Sequence, residues 1–256
     1  MRRVLAGLIL CAATVFAQAG FEVVSIKPSD PLSNSMHMGL GSGGGFEASG
    51  VTLRILIQQA YDVRNFQIVG GPGWIDTDKY DFLARDEAKG PSEADLMNTT
   101  EAKRVEFRDQ LQAKLRMALA DRFQLKAHRE TKELPVYVLT VAKGGVRIPA
   151  APDDGRGDGT LSSGRADDGK TQIKATHLPV LNLARFLSSQ VGRTVIDKTG
   201  LAGKYDFQLN FAPDMGDISG PSLFTALQEQ LGLKLDSEKG PVEVVVIDSV
   251  EKASGN

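Results

Sequence analysis

One tetrapeptide, Lys-Tyr-Asp-Phe, stands at positions 79–82 and again at 204–207, an offset of 125 residues. Such a match constrains a fold when its neighbours match in the same order, because self-similarity at a steady offset marks a repeated supersecondary unit. Here they do. Phe46-Glu47-Ala48-Ser49 leads into Leu53, Leu56, Ile57 and Ala60, and Ile173-Lys174-Ala175-Thr176 leads into Val180, Leu183, Ala184 and Leu187, at offset 127. Each set is a strand entering a helix whose apolar residues form one stripe, the pattern of a helix burying one face on a sheet. Leu115, Leu119 and Phe123 before Leu125-Lys126 correspond to Leu223, Leu227 and Leu231 before Leu233-Lys234, at offset 108. Finally Leu134-Pro135-Val136-Tyr137-Val138-Leu139 aligns with Gly240-Pro241-Val242-Glu243-Val244-Val245, at offset 106. These β-rich runs predict a hairpin at the end of each half.

The pattern predicts an α+β protein of two homologous halves, each a small mixed sheet with two helices packed on one face. The offsets shrink because the second helix is longer in the first half, where Asn98-Thr99-Thr100 supplies N-cap oxygens. Residues 149–170, rich in Gly, Asp, Ser and Pro, predict a flexible linker. The expected organisation is 20–148 for the first repeat, opened by an alternating strand over 21–28, then 171–252 for the second, with a tail at 253–256.

Ahead of these halves, Met1-Arg2-Arg3 precedes an apolar run from Val4 to Phe16 and then Ala17-Gln18-Ala19, the charge, apolar and small-x-small order of a cleaved signal peptide. Residues 1–19 are therefore read as a signal peptide, and the expected location is the periplasm or outside the cell. Nothing later is apolar for long enough to span a bilayer as a helix of about 20 residues, so no transmembrane segment is expected in the mature chain. Removing 1–19 takes away the single cysteine and two arginines, leaving 28 basic against 32 acidic residues. Thiol chemistry, disulfides and cysteine-ligated metals are thereby excluded from the mature chain. A slightly acidic chain also lacks the broad cationic surface of a nucleic-acid binder.

No catalytic constellation emerges. Gly39, Gly41 and Gly44 have dinucleotide-loop spacing, yet a strand, and not a helix, is expected to follow them. Ser249-x-x-Lys252 and Lys198-Thr199-Gly200 imitate two motifs of penicillin-binding enzymes, but in the reverse chain order and without Ser-Asp-Asn. His37, His128 and His177 are isolated, Met36-His37-Met38 has one imidazole, and Asp154 to Arg165 lacks the closing glutamate of a calcium loop. Neither catalytic residues, nor a cofactor, nor a metal site is expected. Trp74, in the rigid Gly70-Gly71-Pro72-Gly73-Trp74 turn, is a candidate binding residue or a cap on the core. Arg193 and Asp197, in the loop Gly192 to Gly203, are the other candidates, Asp197 being equally suited to bond nearby backbone amides of a turn.

The same segments carry a resemblance. Phe21-Glu-Val-Val-Ser-Ile-Lys-Pro28, Ala60-Tyr61-Asp62-Val63, the Gly-Gly-Pro-Gly-Trp74 turn, Gly192 through Phe207, and Pro221 through Lys234 together resemble the soil-associated family of exported bacterial proteins of unknown function, expanded in soil acidobacteria. The resemblance implies no reaction and carries no catalytic residues. It implies kinship with domains fused to membrane sensor-peptidases of the antibiotic-responsive BlaR type. Each half is also similar in pattern to the short N-terminal module of secretins and TonB-dependent receptors, a small periplasmic interaction domain.

The chain is thus expected to be an exported, non-enzymatic binding module of the cell envelope with a protein partner. The rival readings are a ligand-sensing domain related to the BlaR-type ectodomains, and an envelope hydrolase using carboxylates such as Asp81, Asp197 or Asp206.

Overall fold

The computed structural model describes residues 20–30, 35–41, 45–86, 90–152, 159–213 and 219–253. The expected signal peptide, Asp154, Arg156 and Asp158 lie outside them. In chain order the elements are β1 (Val23–Pro28), β2 (His37–Leu40), β3 (Phe46–Thr52), α1 (Leu53–Tyr61), β4 (Ile68–Gly70), α2 (Trp74–Thr77), β5 (Lys79–Arg85), α3 (Glu93–Met97), α4 (Glu101–Arg122) and β6 (Lys126–Val141). They continue with β7 (Thr160–Arg165), β8 (Thr171–Pro179), α5 (Val180–Val191), β9 (Val195–Asp197), β10 (Lys204–Phe211), α6 (Leu223–Ala226) and β11 (Leu233–Ser249). The class is mixed α+β with small sheets.

The chain gathers into two compact units. One holds the described residues up to Tyr61, Trp74–Gln124 and those from Glu251 on; the other holds Asp62–Gly73 and Leu125–Val250. The first unit is a four-stranded antiparallel sheet of order β1-β5-β3-β2. α1 buries Leu53, Leu56, Ile57 and Ala60, the stripe read from the sequence, and packs on α4. α4 buries Leu111, Leu115, Ala118 and Leu119, again one helical face, and Thr100 caps its N-terminus.

The second unit holds a three-stranded sheet, β10-β8-β7, and a four-stranded one, β4-β11-β6-β9. α5 buries Val180, Leu183, Ala184 and Leu187, again as the stripe requires. They join Ile173, Leu209, Leu227 and Leu233 in one apolar core.

An identical irregularity recurs in the two antiparallel sheets. Between β3 and β5 the register passes from Ala48 opposite Phe82 to Val51 opposite Tyr80, so Ser49 and Gly50 together face Asp81. Between β8 and β10 it passes from Ala175 opposite Phe207 to Leu178 opposite Tyr205, so Thr176 and His177 face Asp206. Both are bulges with a residue in the left-handed region, Gly50 at φ 66° and His177 at φ 53°. The repeated Lys-Tyr-Asp-Phe explains the device: its aspartate accepts the bulge amide, Gly50 N at 3.1 Å from Asp81 and His177 N at 2.7 Å from Asp206. At Gly50 a side chain is also excluded by space, since a Cβ would lie 2.3 Å from the Ser35 carbonyl oxygen.

The expected terminal hairpins do not form. β6 and β11 each run straight through the expected turn and pair antiparallel with one another, from Leu233 opposite Val141 to Ser249 opposite Lys126. Leu134 and Gly240, aligned in the sequence comparison, face each other at the centre of this ribbon. At its two ends the flanking strands are exchanged: β4, from the first half, runs parallel to β11, and β9, from the second, runs parallel to β6. The physical reason is burial. Two separate hairpins would each present a Val-x-Val face needing cover, whereas the ribbon gathers Val136, Val138, Val242 and Val244 into one buried cluster with Val69 and Ile196 against it.

The segment expected to be a flexible linker also contains structure. β7 lies within 149–170 and pairs with β8 over six residues, Thr160 opposite Thr176 through Arg165 opposite Thr171. Thr-Leu-Ser-Ser-Gly-Arg has one apolar residue and so no alternation; ladder bonds hold the strand, with Leu161 packed partly buried against the core.

Candidate functional site

The three carboxylates of the hydrolase reading are engaged in backbone geometry. Asp81 Oδ1 accepts Ser29 Oγ at 2.7 Å and Ser49 Oγ at 2.8 Å besides the Gly50 amide. The Ser29 bond above all, with those of Ser49 and Gly50, holds its carboxyl below the usual range, the opposite of what a general acid needs. Asp206 takes the His177 amide. Asp197 closes an Asx turn, accepting Thr199 N at 2.9 Å and Thr199 Oγ1 at 2.7 Å.

Trp74, which opens α2 in the first unit, is partly exposed. Its ring stacks on buried Phe123 at 6.5 Å and 22°, and Phe123 in turn meets Tyr80 edge-on at 5.1 Å. The Lys252 ammonium lies 5.7 Å from the Trp74 ring centroid and donates to Asp78 Oδ2 at 2.6 Å. That contact holds the Asp78 carboxyl below its ordinary range and lifts Lys252 above its own, while burial raises the Tyr80 hydroxyl. Pro28, Ser29, Asp30, Thr77, Lys79 and Ala253 complete an open cleft of about 530 Å³ around Asp78, Tyr80 and Lys252. Asp78 and Lys252 were not legible as site residues: one precedes the repeated tetrapeptide, the other follows the last strand.

Arg193 and Asp197 belong to the second unit. The Arg193 guanidinium lies 5.5 Å from the Tyr137 ring centroid, and Phe224 meets Tyr137 edge-on at 5.3 Å. Phe224 is the second residue of α6 and is 40% exposed. An apolar ring turned outward on a helix that buries Leu223 and Ala226 is the signal the helical stripe alone misses. A second cleft of about 310 Å³, lined by Lys143, Arg147, Glu229 and Lys234 among others, is crossed by the Arg147 bond to the Glu229 carbonyl.

The histidines stay apart. His128 pairs with Asp248 at 2.9 Å on the surface, and His177 Nε2 lies 3.0 Å from the Pro152 carbonyl. Met38 follows His37 in β2, where strand alternation sends imidazole and thioether to opposite faces. Among the described residues no group of three or more His, Cys, Asp or Glu is placed to hold a metal ion. No helix among them is long and apolar enough to cross a membrane.

Fold and site together define a mixed α+β protein whose candidate surfaces are aromatic and cationic and whose suspected catalytic carboxylates hold bulges and a turn. The chain belongs to a family described as protein of unknown function (DUF3738), whose model matches residues 54–250. No curated protein and no solved structure matches it.

Proposed function

We propose that this chain is an exported, non-enzymatic binding module of the bacterial cell envelope that takes a protein partner through the surface of Tyr137, Arg193 and Phe224. The observation that carries the reading is the exposed Phe224 ring braced on Tyr137 beside a guanidinium. Aromatic and arginine side chains dominate interface hot spots, and a ring already fixed by a neighbour loses little conformational freedom on binding. Arg193 suits a partner that presents a carboxylate next to an apolar patch. Export is supported by the signal-peptide pattern of residues 1–19. Kinship with BlaR-type sensor ectodomains and with the secretin and TonB module belongs to the same proposal and rests on sequence resemblance. The hydrolase reading draws no support from Asp81, Asp197 or Asp206, each of which accepts bonds from its own fold.

The test is affinity capture from envelope extract with the tagged chain from Gly20 onward, beside Phe224→Ala and Arg193→Ala. A specific protein captured by the parent and lost from both variants, with melting temperatures unchanged, supports the surface. A partner retained by both variants, or none captured at all, refutes it.

A further inference from the structure

The Lys252 ammonium occupies a setting of the kind that proteins use to recognise an amine. Within hydrogen-bonding reach stands one carboxylate, Asp78, and the indole of Trp74 lies at cation–π distance. The indole is fixed from behind by Phe123, which Tyr80 also braces, so the platform is rigid before any ligand arrives. Beyond the ammonium the cleft of about 530 Å³ remains open and carries a second carboxylate, Asp30, and the hydroxyl-bearing Ser29 and Thr77. Lys252 itself holds weakly. Its side chain is 61% exposed and that of Asp78 35% exposed, so water screens the pair and competes for both of its charges.

We propose that Trp74, Asp78 and Tyr80 form a recognition site for an alkylammonium group, a lysine side chain of a peptide or protein, and that Lys252 of the chain's own C-terminal segment fills this site in the free protein. The segment is tethered immediately upstream, where Glu251 N donates to the Phe123 carbonyl at 2.7 Å, so Lys252 is held at the site at high local concentration. An incoming ammonium replaces it like for like: the Asp78 bond and the Trp74 contact are remade, and Lys252 is released to water. Because the site competes with its own tether, apparent affinity falls by the fraction of time the site stands open. A site open about one-tenth of the time binds about tenfold more weakly than one without the internal cation.

The chain holds a single tryptophan, so its fluorescence reports this site without interference. The experiment titrates Nα-acetyl-L-lysine N-methylamide into the chain from Gly20 onward, as parent, Lys252→Gln and Lys252→Gln with Asp78→Asn. The norleucine analogue, which lacks the ammonium, serves as control. The expected result is a saturable fluorescence change in Lys252→Gln, about tenfold weaker apparent affinity in the parent, and no response in the double variant or to norleucine. Equal affinity in parent and Lys252→Gln, a response that survives Asp78→Asn, or an equal response to norleucine overturns the proposal. Lys252→Ala, titrated and melted alongside, guards against misfolding: if Lys252→Gln and Lys252→Ala both melt as the parent does and neither responds, the site does not exist.

Discussion

Replacing Asp81 by alanine tests the claim that the repeated tetrapeptide is there to hold a bulge. Three donors converge on one carboxylate oxygen, the hydroxyls of Ser29 and Ser49 and the amide of Gly50, at 2.7, 2.8 and 3.1 Å. A hydrogen bond to a charged group contributes about 1.5 to 3 kcal/mol when buried, and about 1 where water can take over part of the role. Asp81 is partly buried, so the lower figure applies and Asp81→Ala should cost about 3 kcal/mol. Asp206 receives one such backbone bond, from His177, and Asp206→Ala should cost only about 1 kcal/mol. Urea unfolding at pH 7, followed by Trp74 fluorescence and far-ultraviolet circular dichroism, measures both, with an unchanged slope required for the comparison. The dependence on pH has a definite sign. The folded pKa of Asp81 lies below its unfolded value of about 3.9, so its contribution is complete above that value and is lost as pH falls through the lower, folded one. The gap between parent and Asp81→Ala should therefore be full at pH 7 and shrink toward pH 3. A gap under about 1 kcal/mol, equal losses for the two variants, or a gap undiminished at pH 3 would refute the reasoning.

Two further substitutions probe the second unit. Gly232 has φ 68°, and a Cβ there would lie 2.0 Å from the Gly145 carbonyl oxygen, so Gly232→Ala should destabilise by at least about 2 kcal/mol and lower the melting temperature by several degrees. An unchanged melting curve would contradict the close approach of the two loops. Ser188, buried in α5, donates to the Ala184 carbonyl at 2.8 Å and accepts the Val195 amide at 2.9 Å. Ser188→Ala leaves that amide without its partner and should cost about 1 to 3 kcal/mol in urea unfolding, with faster hydrogen exchange at Val195 as its specific mark. Exchange at Val195 as slow as in the parent would show that the hydroxyl does not hold β9.

Features that depend on neighbours along the chain could be read from the residues alone. The buried stripes of α1 and α5 follow from the spacing of leucine and alanine, an N-cap within Asn98-Thr99-Thr100 from its side-chain oxygens, and the strands from Lys-Tyr-Asp-Phe, because helical and strand periodicities are local. Tertiary structure alone decided which strands pair. A Val-x-Val strand buries its face as well against a distant strand as against the next one, and only the burial of Val136, Val138, Val242 and Val244 together favours one ribbon over two hairpins. The same holds for the sites. Lys252 meets Trp74 across 178 positions of sequence and Phe224 meets Tyr137 across 87, and no local pattern encodes a contact made only when the chain has folded back on itself.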